Sequence, residues 1–143
     1  NNGIDTEICM KTYLDAGVLI AAFRAESEVG QRAIQILDDQ NRIFASSEFA
    51  RLEVLPKAVY HQQTYEVQFY EAFFDSVQYW ANDLEKLVQA GYRIASQYGL
   101  SAVDALHVAA ALLIGAEELV TTERRTKPMY RVPDIKITSI LDD

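Results

Sequence analysis

Cysteine is almost missing from this chain. Cys9 stands alone, which excludes an internal disulfide and any cysteine-built zinc cluster. Histidine is nearly as scarce, and His61 and His107 lack the HExxH spacing of a zinc hydrolase. Basic residues are outnumbered, 13 against 21 acidic ones, and the resulting charge of −8 repels nucleic acid at long range. Any contact with RNA or DNA must therefore come from a local basic patch. No apolar run approaches the about 20 residues that a membrane helix needs; the longest is VAAALLIGA at Val108–Ala116. The stretch NNGIDTEIC is polar and mixed, so no secretory signal is expected and the cytoplasm is the expected location.

What is present is enough for one core. Half of the 143 residues are apolar, and no repeat, low-complexity tract or linker divides them. Residues 1–10 are expected to form an N-terminal appendage and residues 11–143 a single domain. Strands are expected at Lys11–Leu14, Arg42–Ser46, Val77–Trp80, Leu119–Thr122 and Ile135–Ile140. Helices are expected at Gly17–Ala25, at Glu28–Asp39 and from Ser47 onward, where Ser47 serves as cap. Pro56 should kink or restart that helix, because proline lacks an amide proton and clashes with the preceding turn. Further helices are expected at Thr64–Phe74, at Leu84–Tyr98 between an Asn82 cap and Gly99, and from Ser101 to Gly115. Strands alternating with helices imply a parallel sheet covered on both faces, a three-layer α/β/α sandwich with a mainly parallel five-stranded sheet.

Four acids then stand out. Asp15 interrupts the apolar run KTYLDAGVLIAAF at the carboxyl end of the first strand. Glu53 lies in FARLEVLPKA, Asp104 near the start of the apolar helix in LSAVDALHVAAAL, and Glu123 follows the fourth strand in LVTTERR. A buried carboxylate is costly unless something pairs with it. Any one of these acids alone reads as a helix cap or as a dipole partner at a helix start. Together, near the ends of elements on one sheet edge, they would repel one another strongly. A hard divalent cation satisfies such a group, since Mg²⁺ takes a few carboxylates plus waters. Metal ions held this way can activate water and stabilise the leaving oxygen of a phosphodiester.

In order and approximate spacing, YLDAGVLI, FARLEVLPKA, LSAVDALHVAAAL and LVTTERR resemble the PIN-domain family, from Thr12 to about Ile140. The resemblance implies a small Mg²⁺- or Mn²⁺-dependent ribonuclease, a toxin of the VapBC-type toxin–antitoxin pairs. It makes Asp15, Glu53 and Asp104 the core metal-binding and catalytic acids. Glu123 stands where an aspartate is usual and becomes a fourth, and Thr121 or Thr122 is the hydroxyl residue that helps order the site. RNA is the implied substrate and an antitoxin protein the implied partner. One departure is visible: Gly17 replaces the Asn or Ser that the family usually carries two residues after its first aspartate. A side chain able to orient a ligand or water is missing there.

The segment from Thr121 to Lys136 carries Arg124, Arg125, Lys127, Arg131 and Lys136 against only Glu123 and Asp134. Thr122, Arg124, Arg125 and Lys127 are accordingly candidates for holding an RNA phosphate backbone, the bland alternative being a solvated loop. The acidic remainder suits a basic partner segment. His107, three residues after Asp104, reads first as a packed, hydrogen-bonded core residue. The aromatics between Glu48 and Phe74 suggest a homodimer surface.

Rival chemistries fit less well. A phosphoacceptor receiver domain needs a further acidic pair, which Thr12, Tyr13 and Leu14 do not provide. A haloacid-dehalogenase-type phosphatase needs a second aspartate where Gly17 stands. No glycine-rich phosphate loop exists. The remaining alternative is a protein of the same fold that has lost turnover and binds RNA or a partner.

Overall fold

The computed structural model describes residues 9–141. Its elements run β1 (Met10–Leu14), α1 (Ala16–Arg24), α2 (Glu28–Leu37), β2 (Arg42–Ser47), α3 (Glu48–Tyr60) and α4 (Thr64–Ser76). They continue with β3 (Tyr79–Ala81), α5 (Leu84–Tyr98), α6 (Ala102–Leu113), β4 (Glu118–Thr121), a 3₁₀ turn (Pro128–Arg131) and β5 (Lys136–Ser139). The five strands pair in the order β3-β2-β1-β4-β5, every pair parallel. Most of the proposed appendage, residues 1–8, lies outside the described residues, and Met10 already pairs with Arg42 in β1.

Two apolar cores sandwich the sheet. Tyr13, Ala45 and Leu119 face Leu87, Ile94 and Val108 of α5 and α6. Leu14 and Val120, one residue along each strand, face Leu19, Val54, Tyr70 and Phe73 of the helices α1 to α4. The two-residue period of a strand is what sends neighbours such as Tyr13 and Leu14 to opposite layers. The result is a three-layer α/β/α sandwich.

β1 is central, with β2 on one side and β4 on the other. The winding direction of the chain reverses there. In parallel sheets that reversal opens a crevice beyond the carboxyl ends of the two strands. Asp15 directly follows β1 and Glu123 comes two residues after the last residue of β4.

Several boundaries differ from expectation. α3 runs through Pro56 as one helix. Pro56 is exposed, as is Leu52, whose carbonyl would otherwise accept the missing bond, so water can satisfy it. Ala50, Val54 and Ala58 keep an unbroken buried stripe on the other side. Asp83, not Asn82, caps α5, accepting from the Lys86 amide at 3.2 Å. Val77 ends α4 rather than opening a strand, and β3 begins at Tyr79. Ser47 caps α3 as expected.

At the amino ends of the strands lies a buried polar clamp. Glu118, the first residue of β4, accepts from Arg42 Nη1 of β2 at 2.8 Å and from the Thr138 hydroxyl of β5. Arg42 also donates to Thr12 of β1 at 2.9 Å and to Asp39 at 3.1 Å. One carboxylate thus ties four parallel strands together at the edge opposite the crevice.

Candidate functional site

Asp15 is the deepest of the four acids. Its Oδ1 accepts from the Val18 amide at 3.3 Å, so it caps α1, and its Oδ2 accepts from the Thr121 hydroxyl. The same hydroxyl oxygen accepts the Glu123 amide at 3.0 Å, tying the ends of β1 and β4 together. Burial pushes the Asp15 carboxyl up to about 6. The Thr121 hydrogen bond, the neighbouring His107 and the Val18 amide pull it down, while the charge of Glu123 adds to the rise.

Asp104 sits in the first turn of α6, and Glu123 in the loop after β4. The Lys127 ammonium lies 3.9 Å from Asp104 Oδ2 and 3.6 Å from Glu123 Oε1, bridging the two. The backbone carbonyl of Glu123 accepts from the Tyr130 hydroxyl at 2.7 Å and the Ser139 hydroxyl at 2.9 Å, which pins the loop. Glu53, on α3, meets His107 Nε2 through Oε1 at 2.5 Å. Each acid outside the cap is therefore held against a nitrogen of the protein.

Behind Glu53 runs a chain of contacts that the sequence did not reveal. His107 Nδ1 meets the Tyr13 hydroxyl at 2.7 Å, and that hydroxyl meets Ser47 Oγ at 2.7 Å. Ser47 Oγ in turn accepts from the Ala50 amide at 3.4 Å. Burial raises the Tyr13 phenol far above its usual range, so it stays an O–H group. The signal available in the sequence was slight: a tyrosine two residues before Asp15, on the same side of a strand, and a histidine one helical turn after Asp104.

The basic candidates separate. Lys127 joins the acids. Arg125 instead turns to the carboxyl end of β5, where it donates to the carbonyls of Ser139 and Leu141 at 3.2 Å each. Arg124 is exposed.

Gly17 has a local reason. A Cβ there would fall on the Thr122 hydroxyl oxygen and lie 3.5 Å from Asp15 Oδ1. The Thr122 hydroxyl thus fills the space that a side chain at position 17 would need. Gly17→Ser is expected to destabilise the protein by about 1–3 kcal/mol through this overlap. Adding Thr122→Ala should bring the double variant back to within about 1 kcal/mol of Thr122→Ala alone. Urea unfolding of the three variants checks this, and strictly additive effects would refute it.

A hard divalent ion fits this donor set. All four acids offer carboxylate oxygens, and the Lys127 ammonium already shows a cation received between two of them. Among the described residues no three acidic, histidine or cysteine side chains stand close enough to share one ion. Mg²⁺ asks for no more than one or two carboxylates, because it keeps several of its waters.

A family model described as PIN domain matches residues 12–134 of the chain. No curated protein matches its sequence. Solved structures match in shape. VapBC2 from Rickettsia felis, bound to a DNA fragment from its promoter, has a TM-score of 0.68 at 16% identity, over 91% of this chain and 98% of that one. A toxin–antitoxin complex from Klebsiella pneumoniae has 0.68 at 19%, over 92% and 99%. The DNA-bound VapBC from Salmonella typhimurium has 0.65 at 17%, over 92% and 99%. At such identities the likeness speaks for the fold.

Proposed function

The chain belongs to the PIN domain family, and from that premise we propose that it is an endoribonuclease dependent on Mg²⁺ or Mn²⁺, acting as the toxin of a toxin–antitoxin pair. One observation carries this reading. Asp15 follows the central strand at the reversal point of the sheet, Lys127 bridges Asp104 and Glu123, and His107 stands against Glu53.

Of Asp15, Glu53, Asp104 and Glu123, one or two would hold the ion directly and the others through waters that it keeps. When bound, it supplies Lewis-acid chemistry, lowering the pKa of a water and offsetting charge on the departing oxygen. The protein's own groups do the rest. Thr121 holds the Asp15 carboxylate in place and α1 accepts its charge at the helix start. Lys127 lies beside Asp104 and Glu123, and the Thr122 hydroxyl lies near Gly17 and Asp15; with the exposed Arg124 they would be available to a phosphate backbone. Hydrolysis adds water across one P–O bond: a new oxygen joins phosphorus, and the ribose oxygen leaves and takes up a proton.

The antitoxin reading draws on the neighbours, which are toxin–antitoxin complexes, and on the position of Lys127. A partner's Arg or Lys inserted into the crevice would meet the same acids that receive the Lys127 ammonium. Self-association draws on the outer surface of α3 and α4, where Leu52, Val59, Tyr60 and Tyr65 are all exposed.

Cleavage of a mixed RNA pool in Mg²⁺ or Mn²⁺, and then in EDTA, tests the activity. Asp104→Asn is expected to lower the rate about 100-fold or more while leaving the fold intact. Cutting that survives the substitution or the chelator would belong to something else. Folded protein that binds metal and cuts nothing would favour a binding module of the same fold.

A further inference from the structure

We propose that the buried chain Ser47–Tyr13–His107 is a positioning device for Glu53, one that fixes where this carboxylate presents its free oxygen to the crevice. The inference rests on the nuclease reading above and adds residues that it does not use.

Glu53 needs such a device. Its side chain has three rotatable bonds and is 38% exposed, so nothing in its own packing holds the carboxylate toward the crevice. His107 supplies the restraint by taking Oε1. Among the described residues the other oxygen has no protein partner.

His107 must itself be fixed, because an imidazole has two nitrogens and can present a donor or an acceptor to Glu53. The chain behind it matches one of them. Ala50 N–H donates to Ser47 Oγ at 3.4 Å, and the Tyr13 hydroxyl lies 2.7 Å from both Ser47 Oγ and His107 Nδ1. A carboxylate only accepts, so the tautomer that suits Glu53 carries its proton on Nε2 and leaves Nδ1 to accept the Tyr13 O–H, while Tyr13 accepts from Ser47. Among the described residues no other side chain is hydrogen-bonded to Ser47 Oγ, the Tyr13 hydroxyl or the His107 ring.

The series also closes a ring through the fold. Ser47 caps α3, the helix that carries Glu53. Tyr13 sits on β1 two residues before Asp15, and His107 on α6 one turn after Asp104. Three of the four acids are thereby registered to one another through a buried core contact instead of through the solvent-facing crevice. All three members of the chain are buried: Ser47 and Tyr13 are fully inaccessible and His107 is 4% exposed. A rotamer change at any of them would leave a polar group unsatisfied, at a cost of about 1–3 kcal/mol.

Tyr13→Phe is the sharpest test. It keeps the ring, which packs against His107 with centroids 5.7 Å apart, and removes only the hydroxyl. The probe is Mn²⁺ alone, titrated calorimetrically, with RNA cleavage measured over the same range of Mn²⁺. The expected result is about 10–100-fold weaker Mn²⁺ affinity, the usual effect of losing a group that orients a ligand. Cleavage should then need correspondingly more Mn²⁺. In a Glu53→Gln background the same Tyr13→Phe change should have no effect on Mn²⁺ affinity, because the oxygen being positioned is no longer an anion.

A lower melting temperature with unchanged Mn²⁺ affinity would make the chain merely structural and overturn the proposal. If Tyr13→Phe does not fold, His107→Gln and His107→Leu carry the test. Gln keeps an N–H for Glu53 and should bind Mn²⁺ better than Leu, and equal affinities would overturn the proposal. A wild-type protein that neither binds Mn²⁺ nor cuts RNA would bring down the nuclease reading and this inference together. Wild-type binding with an indifferent Tyr13→Phe brings down the inference alone.

Discussion

Asp15→Asn is expected to raise the stability of the metal-free protein by about 3 kcal/mol at neutral pH while abolishing cleavage. Burial lifts the Asp15 carboxyl from its usual 3.8 to about 6. At about 1.4 kcal/mol per tenfold in proton affinity, that difference is the cost of ionising it inside the fold. The sign follows from proton counting. Between about pH 4 and 6 the folded protein holds a proton that the unfolded chain has released, so stability falls as pH rises through this window. Above it the penalty is constant, and below it the penalty vanishes. Asparagine carries no charge to bury, caps a helix as well as aspartate, and still offers Thr121 an acceptor oxygen. Urea unfolding in EDTA from pH 4 to pH 8 should show the two proteins equal at the acid end and diverging up to about pH 6. A gap independent of pH, or a less stable variant at neutral pH, would contradict this account. Mn²⁺ should stabilise the wild type and leave the variant unmoved.

Glu118→Ala is expected to act in the opposite direction, costing about 3 kcal/mol. Glu118 is as buried as Asp15, yet its surroundings differ. Burial pushes its carboxyl up, but the Thr138 hydroxyl, Arg42 and Lys136 together outweigh burial and hold it below its usual value. A depressed acid stabilises the fold above the ordinary carboxylate range and loses that contribution as pH falls through its folded value. Truncation leaves the Arg42 guanidinium, mostly buried, with only Asp39 and Thr12. It also strips Thr138 of its acceptor. Comparing the urea midpoints of wild type and variant at pH 7 and pH 4 would decide the matter: the loss should be large at pH 7 and smaller at pH 4. Equal losses at both would mean that lost packing, not charge, is responsible.

These two acids show where reading a sequence reaches its limit. Asp15 drew notice because a carboxylate inside KTYLDAGVLIAAF needs a partner if buried, and the structure buries it with the Val18 amide and the Thr121 hydroxyl as partners. Glu118 sits at the start of a short strand beside Glu117, and nothing in that local stretch marks it as buried. Its partner Arg42 is 76 residues away, and no periodicity carries that information. His107 is the buried, hydrogen-bonded residue that was expected, but distance hid its partners. Its helix was plain from the sequence, but Tyr13 is 94 residues earlier and Glu53 is 54. Local errors had local causes. Asn82 and Asp83 are both good caps, and only the path of the chain chooses between them. Val77 is buried and β-branched, which suits a strand, yet it lies where α4 runs out against the sheet. The helix does not restart at Pro56, because that proline falls on its exposed side.

The topology also dictates an order of events during synthesis. β1 is made before β4 yet borders it, and the Thr121 hydroxyl that orders Asp15 arrives 106 residues later. Until then the central strand has one neighbour, and the crevice lacks one wall together with Glu123. Chains fold in units as they emerge, and here the last-made third of the unit completes the first-made acid. The acids at the crevice are therefore not assembled until β4 has been made.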